Sequence, residues 1–522
     1  MSGPAINGAR SLIRTLADSS VDVCFANPGT SEMHFVAALD AVPEMRAVLA
    51  LFEGAVTGAA DGYGRMTGRP AAALLHLGPG FGNGIANLHN ARRAHTPLVV
   101  VVGDHATYHK RLDAPLESDI DALAGTVSGW VRRSWRPGDV GADAADAVAA
   151  ARTAPGRTAT LILPADVSWS DGGRVAAPRP VPPPQPVADA TVASVAAVLR
   201  SGEPTVILVG GAAVADARGL SAVAAIAASG GAKVLCETFP ARLRRGAGTA
   251  RLGRLAYLGE MAGAQLAGAR HLVLIGAQRP VSFFAYPGKP GDLVPDGCTV
   301  HTLALPGDDI RGALDALVER TGADPSGGAF DTAERPQLPT GPLDADKIAA
   351  AVGALLPEAA IVIDEAISSG SGLGGALAGA PPHDVLSLTG GAIGFGLPAA
   401  TGAAVACPDR PVICLQADGS AMYTLSALWT QAREGLDVTT VLYNNRSYAI
   451  LNMELERVEA GAAGPVASGL LDLSRPDLDF VSLARGMGVP AARATTGEDL
   501  AVQLRAALAE PGPHLIEAMI AG

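Results

Sequence analysis

The stretch Pro411–Leu451, PVICLQADGSAMYTLSALWTQAREGLDVTTVLYNNRSYAIL, restricts the fold of this chain more than any other. PVICLQA is almost wholly apolar and predicts a short strand buried on both faces. Asp418-Gly419-Ser420 is a turn. From Ala421 the apolar positions Leu425, Leu428, Trp429 and Ala432 keep helical spacing until Gly435 ends the helix. VTTVLYN is β-branched and aromatic, a second strand. Such a crossover makes the two strands parallel neighbours. Asp418 and Asn445 then both lie at carboxyl ends of strands, where open α/β sheets bind ligands. A carboxylate, an amide oxygen and a backbone carbonyl are hard donors that suit Mg2+ or Ca2+. Ser420 opens the helix, and helix N-termini attract phosphate. The unit reads as a metal–diphosphate cradle; the plain alternative is an ordinary strand–helix–strand unit with a polar turn.

Asp-Gly-Ser followed by Asn444-Asn445, with Asp418 and Asn445 27 positions apart, resembles the metal and diphosphate signature of thiamine diphosphate enzymes. The Gly that usually precedes the Asp is Ala417 here. The resemblance implies that Asp418, the Asn445 side chain and the Ser447 carbonyl bind Mg2+, with Ca2+ as a substitute. It also implies that Gly419, Ser420 and Tyr448 meet the diphosphate.

A chain of 522 residues is too long for one core, and about three domains are expected. Two Pro-rich stretches, 172–189 and 326–343, read as linkers. They separate blocks 1–171, 190–325 and 343–522, each alternating apolar strands with helical patterns. The expected class is α/β, with three parallel-sheet domains. By the resemblance these are the pyrimidine-binding, central and diphosphate-binding domains. A net charge of −12 speaks against a nucleic-acid partner. No run has the length and apolarity of a membrane span, and the N-terminal segment reads as an amphipathic helix rather than a signal. The cysteines Cys24, Cys236, Cys298, Cys407 and Cys414 are scattered and form no C-x-x-C pair, so they read as small buried residues. A cytoplasmic protein is expected.

In the first block, AVLALFEGAVTGAADGYGRMTG places Glu53 between a strand and a helix. A Glu in a first helical turn is ordinarily solvated. The pattern Glu53, Ala55, Ala59, Gly62, Tyr63, Arg65, Gly68 is similar to the family's, which implies that Glu53 holds the aminopyrimidine ring. AAALLHL is a strand, GPGFGNG a glycine-rich loop and IANLHNARRAH a helix. A lone His is usually structural, but His76 lies 23 positions after Glu53, as the substrate-side His does in benzoylformate decarboxylases. The resemblance makes His76 a catalytic and substrate-binding candidate and Thr30 a substrate contact. His89, His95, His105 and His109 read as helix or loop residues.

PTVILVGGAAV and HLVLIGAQ in the middle block are strand-then-glycine units without a dinucleotide fingerprint, and FAD is not expected. The aromatic segment PVSFFAYPGKP (280–290) reaches toward the site, with Ala285 where benzoylformate decarboxylases carry a second His. In the last block, AAIVIDEAISSGSG ends a strand with Glu365, Ser368 and Ser369 near the diphosphate. The family likeness implies a Gly391 carbonyl on the aminopyrimidine and Ile393 as the wedge beneath the cofactor. Glu454 stands on the substrate wall as an unpaired charge that disfavours a phenyl group.

The closest likeness is to the acetolactate-synthase-like and benzoylformate-decarboxylase-like enzymes. It implies a homo-oligomer, a dimer at least and a tetramer by expectation. The activity implied is decarboxylation of a 2-oxo acid to an enamine that is coupled to a second carbonyl. A simple decarboxylase, a non-catalytic binding protein of this fold and a nucleotide-binding oxidoreductase are the alternatives.

Overall fold

The computed structural model describes residues 6–286, 288–324, 326–458 and 464–520. Three sheets organise them. The first is wholly parallel, in the order β2-β1-β3-β4-β6-β5. Its strands are β1 (Val23–Ala26), β2 (Arg46–Leu49), β3 (Ala71–His76), β4 (Leu98–Asp104), β5 (Trp130–Arg133) and β6 (Thr158–Pro164). Every residue of β4 and β6 is buried, as expected of strands covered by helices on both faces. The second sheet, also parallel, runs β10-β8-β7-β11-β12. It comprises β7 (Thr205–Val209), β8 (Lys233–Cys236), β10 (Gly253–Arg254), β11 (His271–Ile275) and β12 (Thr299–Ala304).

The third sheet runs β17-β18-β16-β15-β13-β14-β9. Its parallel strands are β13 (Ile361–Glu365), β14 (His383–Ser387), β15 (Val412–Ala417), β16 (Val438–Asn444), β17 (Ala491–Ala494) and β18 (His514–Met519). Its last member, β9 (Leu243–Arg245), comes from the middle of the chain and pairs antiparallel with β14. The three mostly parallel sheets are those expected, with one short strand of the middle block added antiparallel to the third. The cause is electrostatic as well as geometric: Asp384 of β14 is fully buried between Arg242, at 2.9 Å, and Arg410, at 2.7 Å. Burial opposes its charge, but the two guanidinium groups hold its carboxyl below the usual range.

Helix α1 (Glu53–Thr67) ends at Gly68, whose φ of +66° suits the left-handed cap. Helix α2 (Leu77–Arg93) begins immediately after β3. The segment GPGFGNG is therefore its first two turns and not the expected loop. Its glycines Gly78, Gly80 and Gly84 serve close packing. A Cβ on Gly78 would lie 2.2 Å from Ser118 Oγ, and one on Gly80 would lie 2.9 Å from Glu53 Oε1.

Helix α3 (Gly396–Ala406) crosses α1 with the two backbones in contact. A Cβ on Gly402 would sit 1.8 Å from the Ala59 carbonyl oxygen, and one on Gly62 would sit 2.2 Å from that of Ala399. The glycine of the Gly62-Tyr63-x-Arg65 pattern thus locks the first sheet to the third. Arg65 completes the clamp. It is paired with Asp61 at 2.6 Å and donates to the Ser387 carbonyl at 2.6 Å and Thr389 Oγ1 at 3.0 Å.

The single helix expected after Asp418 is two helices, α4 (Asp418–Ala421) and α5 (Ala427–Glu434), with Gly435 ending the second at φ +60°. Between them lies Thr424, whose hydroxyl donates to the Gly394 carbonyl at 3.0 Å. Among the described residues no helix is long and apolar enough to cross a membrane.

Candidate functional site

Strands β15 and β16 are paired in parallel, with Ala417 opposite Tyr443. The residues after them, Asp418 and Asn445, therefore lie side by side at one sheet edge. Asp418 is 3% exposed. Its Oδ1 accepts from Gly419 N at 2.7 Å; its Oδ2 accepts from Arg446 N at 2.7 Å and Asn445 N at 3.1 Å. Burial pushes its carboxyl above the usual range although these N–H donors pull it down. Arg446 takes a φ of +57°, which turns the chain back over the carboxylate. Asn445 Oδ1 accepts from Ser447 N at 3.0 Å. Tyr448 lies on Gly419, where a Cβ would meet its ring at 2.4 Å. One carboxylate, one amide oxygen and one carbonyl match the needs of a hard cation that keeps oxygens of its own ligands. Among the described residues no three His, Cys, Asp or Glu side chains gather as a metal cage.

Ser420 departs from its expected role in one respect. Its hydroxyl donates to the Ala417 carbonyl at 3.1 Å and accepts from Gln416 Nε2 at 2.5 Å. Only its backbone N–H remains suited to an anion. Glu365, expected beside the diphosphate, is 1% exposed and turned inward onto the N-terminus of α3. Burial pushes its carboxyl up while its N–H donors pull it down. Ser368 is exposed on the turn Ile367–Gly370, which packs against helix α6 (Ala449–Arg457).

Residues 389–394 carry Gly391, at φ +74°, and the half-buried Ile393. Side chains of α2 hold this loop. Asn90 Nδ2 donates to the Ala392 carbonyl at 2.8 Å, Asn87 Nδ2 to that of Gly394 at 3.1 Å, and His89 Nε2 lies 3.1 Å from that of Gly390. Glu53 opens α1 at 7% exposure, its Oε2 accepting from Asn83 Nδ2 at 3.0 Å. The first block thus supplies both Glu53 and the brackets for the Gly391 loop. Asn83, Asn87 and Asn90 were not singled out in the sequence; their spacing on one face of a helix was the available signal.

His76 ends β3 and faces the loop after β1. Its Nδ1 lies 2.8 Å from Glu32 Oε2 and 3.2 Å from Ser31 Oγ. Gly29 permits this approach, since a Cβ there would fall 2.2 Å from Nδ1. Thr30 itself is exposed, and its neighbour Ser31 makes the contact. Glu32, 2% exposed, is a site residue that the sequence reading missed.

The aromatic segment of the middle block does reach this region. Phe283 packs at a tilt against Tyr257, with ring centroids 4.9 Å apart, and edge-on against Phe239 at 5.3 Å. Its edge is 3.8 Å from where a Cβ on Gly391 would be. Glu454 is not an unpaired charge: Arg457, one helical turn on, holds it at 2.9 Å. Arg457 also binds Glu260 at 2.9 Å, and Glu260 binds Lys289. Glu454, expected as an unpaired charge that disfavours a phenyl group, is thus compensated and does not disfavour one on that ground.

Residues 6–124 match the family described as thiamine pyrophosphate enzyme, N-terminal TPP binding domain, and residues 375–518 match the corresponding C-terminal TPP binding domain. A Mycobacterium tuberculosis protein named "Putative acetolactate synthase large subunit IlvX" is 64% identical over 99% of both chains. Benzoylformate decarboxylase of Pseudomonas aeruginosa is 32% identical over 94% of this chain and 95% of its own. Among solved structures, the thiamine diphosphate-dependent 4-hydroxybenzoylformate decarboxylase of Rhodococcus jostii RHA1 superposes with a TM-score of 0.83 at 26% identity, covering 99% of each chain.

Proposed function

The chain belongs to the thiamine pyrophosphate enzyme family, and from that membership we propose that it is a Mg2+-dependent enzyme that decarboxylates a 2-oxo acid and couples the remaining fragment to a second carbonyl compound. The observation that carries the reading is Asp418: a buried carboxylate, aimed by three backbone N–H groups, beside Asn445 and Ser447 at the mouth of two parallel strands. Bound there, thiamine diphosphate would supply a carbon nucleophile and an electron sink for loss of CO2.

The residues present fit that group. Asp418, the Asn445 amide oxygen and the Ser447 carbonyl would hold the cation. The backbone of Gly419 and Ser420, with the Tyr448 ring, would border the diphosphate. The Gly391 loop, with its exposed positive-φ glycine, leaves room for a flat ring close to the backbone, and the half-buried Ile393 follows two residues on. Glu53, almost dry, is a carboxylate able to keep a charge-assisted hydrogen bond to a ring nitrogen. His76, oriented by Glu32, is positioned to move a proton or hold a substrate carboxylate through its other nitrogen. Glu454 borders the substrate side as a compensated charge. A homodimer or tetramer is part of the proposal, measurable by sedimentation.

Coupling is supported by the name of the relative that shares 64% of its residues, and by Ala285, which offers no second proton carrier on the aromatic segment. A plain aryl 2-oxo acid decarboxylase is the second reading. The cluster of Phe239, Tyr257 and Phe283 beside Gly391 favours it. Incubation with pyruvate plus an acceptor aldehyde, and separately with benzoylformate, decides between them by product analysis. Coupled product supports the first; rapid benzaldehyde release with no coupled product from any donor supports the second.

A further inference from the structure

Glu365 and Gln416 are neighbours across β13 and β15, and both are essentially out of solvent, at 1% and 0% exposure. Glu365 Oε1 accepts from Gly394 N at 2.8 Å and Phe395 N at 3.2 Å; its Oε2 accepts from Gly396 N at 2.6 Å and Gln416 Nε2 at 2.9 Å. All four partners are N–H donors, so the arrangement calls for an acceptor-only carboxylate. Gln416 Nε2 spends its second hydrogen on Ser420 Oγ, 2.5 Å away. A continuous chain of hydrogen bonds thus runs from the end of the Gly391 loop, through two buried side chains, to the turn that carries Asp418. The same end of the loop is held a second time, because the Gly394 carbonyl accepts from Asn87 and Thr424.

We propose that Glu365 and Gln416 form a positioning pair that couples the two cofactor-binding turns, residues 391–394 and 418–420, so that seating of the diphosphate and alignment of the ring-binding loop reinforce one another. The proposal rests on the thiamine diphosphate reading above. Neither side chain is placed on the cofactor; both act through backbone groups and Ser420. Two buried polar groups that satisfy each other have no benefit over an apolar pair unless they fix a geometry. Here the geometry fixed is the spacing between the two turns.

The coupling predicts a difference between ligands. A ligand that touches both turns gains from it; one that touches only the Asp418 turn does not. The full-length protein is titrated with Mg2+–thiamine diphosphate and, separately, with Mg2+–pyrophosphate, for wild type, Gln416→Leu and Gln416→Glu. The melting temperature without ligand is recorded for each. Gln416→Leu is expected to weaken the full cofactor at least tenfold and pyrophosphate less than threefold, with the ligand-free melting temperature little changed. Gln416→Glu is expected to lose affinity for the full cofactor at pH 8, where two carboxylates face one another. Measured against wild type at each pH, its deficit is expected to narrow as pH falls and one of them takes a proton that can serve as the missing donor. Equal losses for the two ligands, or no loss with either variant, would overturn the pairing while leaving the cofactor assignment standing. If wild type bound pyrophosphate but not thiamine diphosphate, both the pairing and the cofactor assignment would fall. Should Gln416→Leu not fold, the pH response of Gln416→Glu alone decides.

Discussion

Glu32 holds His76 by its Nδ1 at 2.8 Å while the same carboxylate accepts the Gly29 N–H at 2.8 Å and the Ser31 hydroxyl at 2.5 Å. One buried side chain therefore fixes both the loop after β1 and the ring at the end of β3. It determines which imidazole nitrogen is left to face a ligand. Replacing Glu32 with Gln should loosen loop and ring together. We expect kcat/KM for a 2-oxo acid to fall about 100-fold, in line with the cost of a misplaced reacting group, with thiamine diphosphate affinity nearly unchanged. A parallel loss of cofactor affinity in titrations would show that Glu32 serves another part of the molecule.

Glu53→Gln should slow exchange of the acidic C2 proton of bound thiamine diphosphate by about 100-fold or more, within the range of a lost general acid–base partner. Diphosphate affinity should stay close to wild type, since Asp418 and Glu53 follow strands of different sheets. Hydrogen–deuterium exchange followed by NMR reads this directly. A near-normal rate in the variant would remove Glu53 from the role.

Asp418→Ala should abolish Mg2+-dependent cofactor binding. The wild type should also show a pH signature. Burial raises the Asp418 carboxyl above the ordinary value, so the folded state holds a proton where the unfolded state does not. Stability of the ligand-free protein from this group therefore rises as pH falls through the raised value. Cation binding needs the carboxylate and weakens over the same interval. The melting-temperature gain from Mg2+–thiamine diphosphate should shrink as pH is lowered toward the ordinary aspartate range. A gain independent of pH there would speak against Asp418 as the ligand.

Gly402→Ala places a methyl group 1.8 Å from the Ala59 carbonyl oxygen, a backbone atom that cannot rotate away. The crossing of α1 and α3 must open. We expect a loss of about 2–4 kcal/mol in denaturant unfolding, at or above the usual cost of overpacking. Gly263→Ala, where no atom lies within 4 Å of the added Cβ, is the control.

At the carboxyl end of β8, Glu237 is pushed up to about 7 by burial, against a hydrogen bond from the Gly211 backbone. Its folded value lies above its unfolded one. The penalty is therefore absent in acid, grows as pH rises from about 4.5 to about 7, and stays constant above. Glu237→Gln should raise stability by up to about 3 kcal/mol at pH 8 and hardly at all at pH 4. Calorimetry at the two pH values tests the sign.

The parts of the site that were legible in the sequence are those whose partners are local. Asp418 and Asn445 sit on adjacent strands joined by a short crossover, and Gly435 marks the helix end by its own backbone freedom. Glu454 was misjudged although its partner Arg457 is only three residues on, a spacing that places both on one helix face. Glu365 could not be read correctly. A carboxylate at a strand end looks the same in sequence whether it faces a ligand or a helix N-terminus, and its three amide donors lie about thirty residues downstream. Glu32, Asn87 and Asn90 were missed for the same reason, their partners being 44 to 307 positions away. The glycines of GPGFGNG misled in the opposite direction. Glycine signals a turn when it supplies unusual dihedrals, but here it supplies the absence of a side chain where Glu53, Thr57 and Ser118 press in.

The antiparallel strand β9 means that the middle block is not a detachable module. A fragment spanning 343–522 would begin after the strand that closes its own sheet. It would expose the β14 edge at His383–Val385 and strip Asp384 of Arg242 while leaving it Arg410. An open edge beside a half-compensated buried charge invites self-association. Trimmed or shuffled versions of this chain should therefore aggregate at that edge unless Leu243–Arg245 travels with the third sheet.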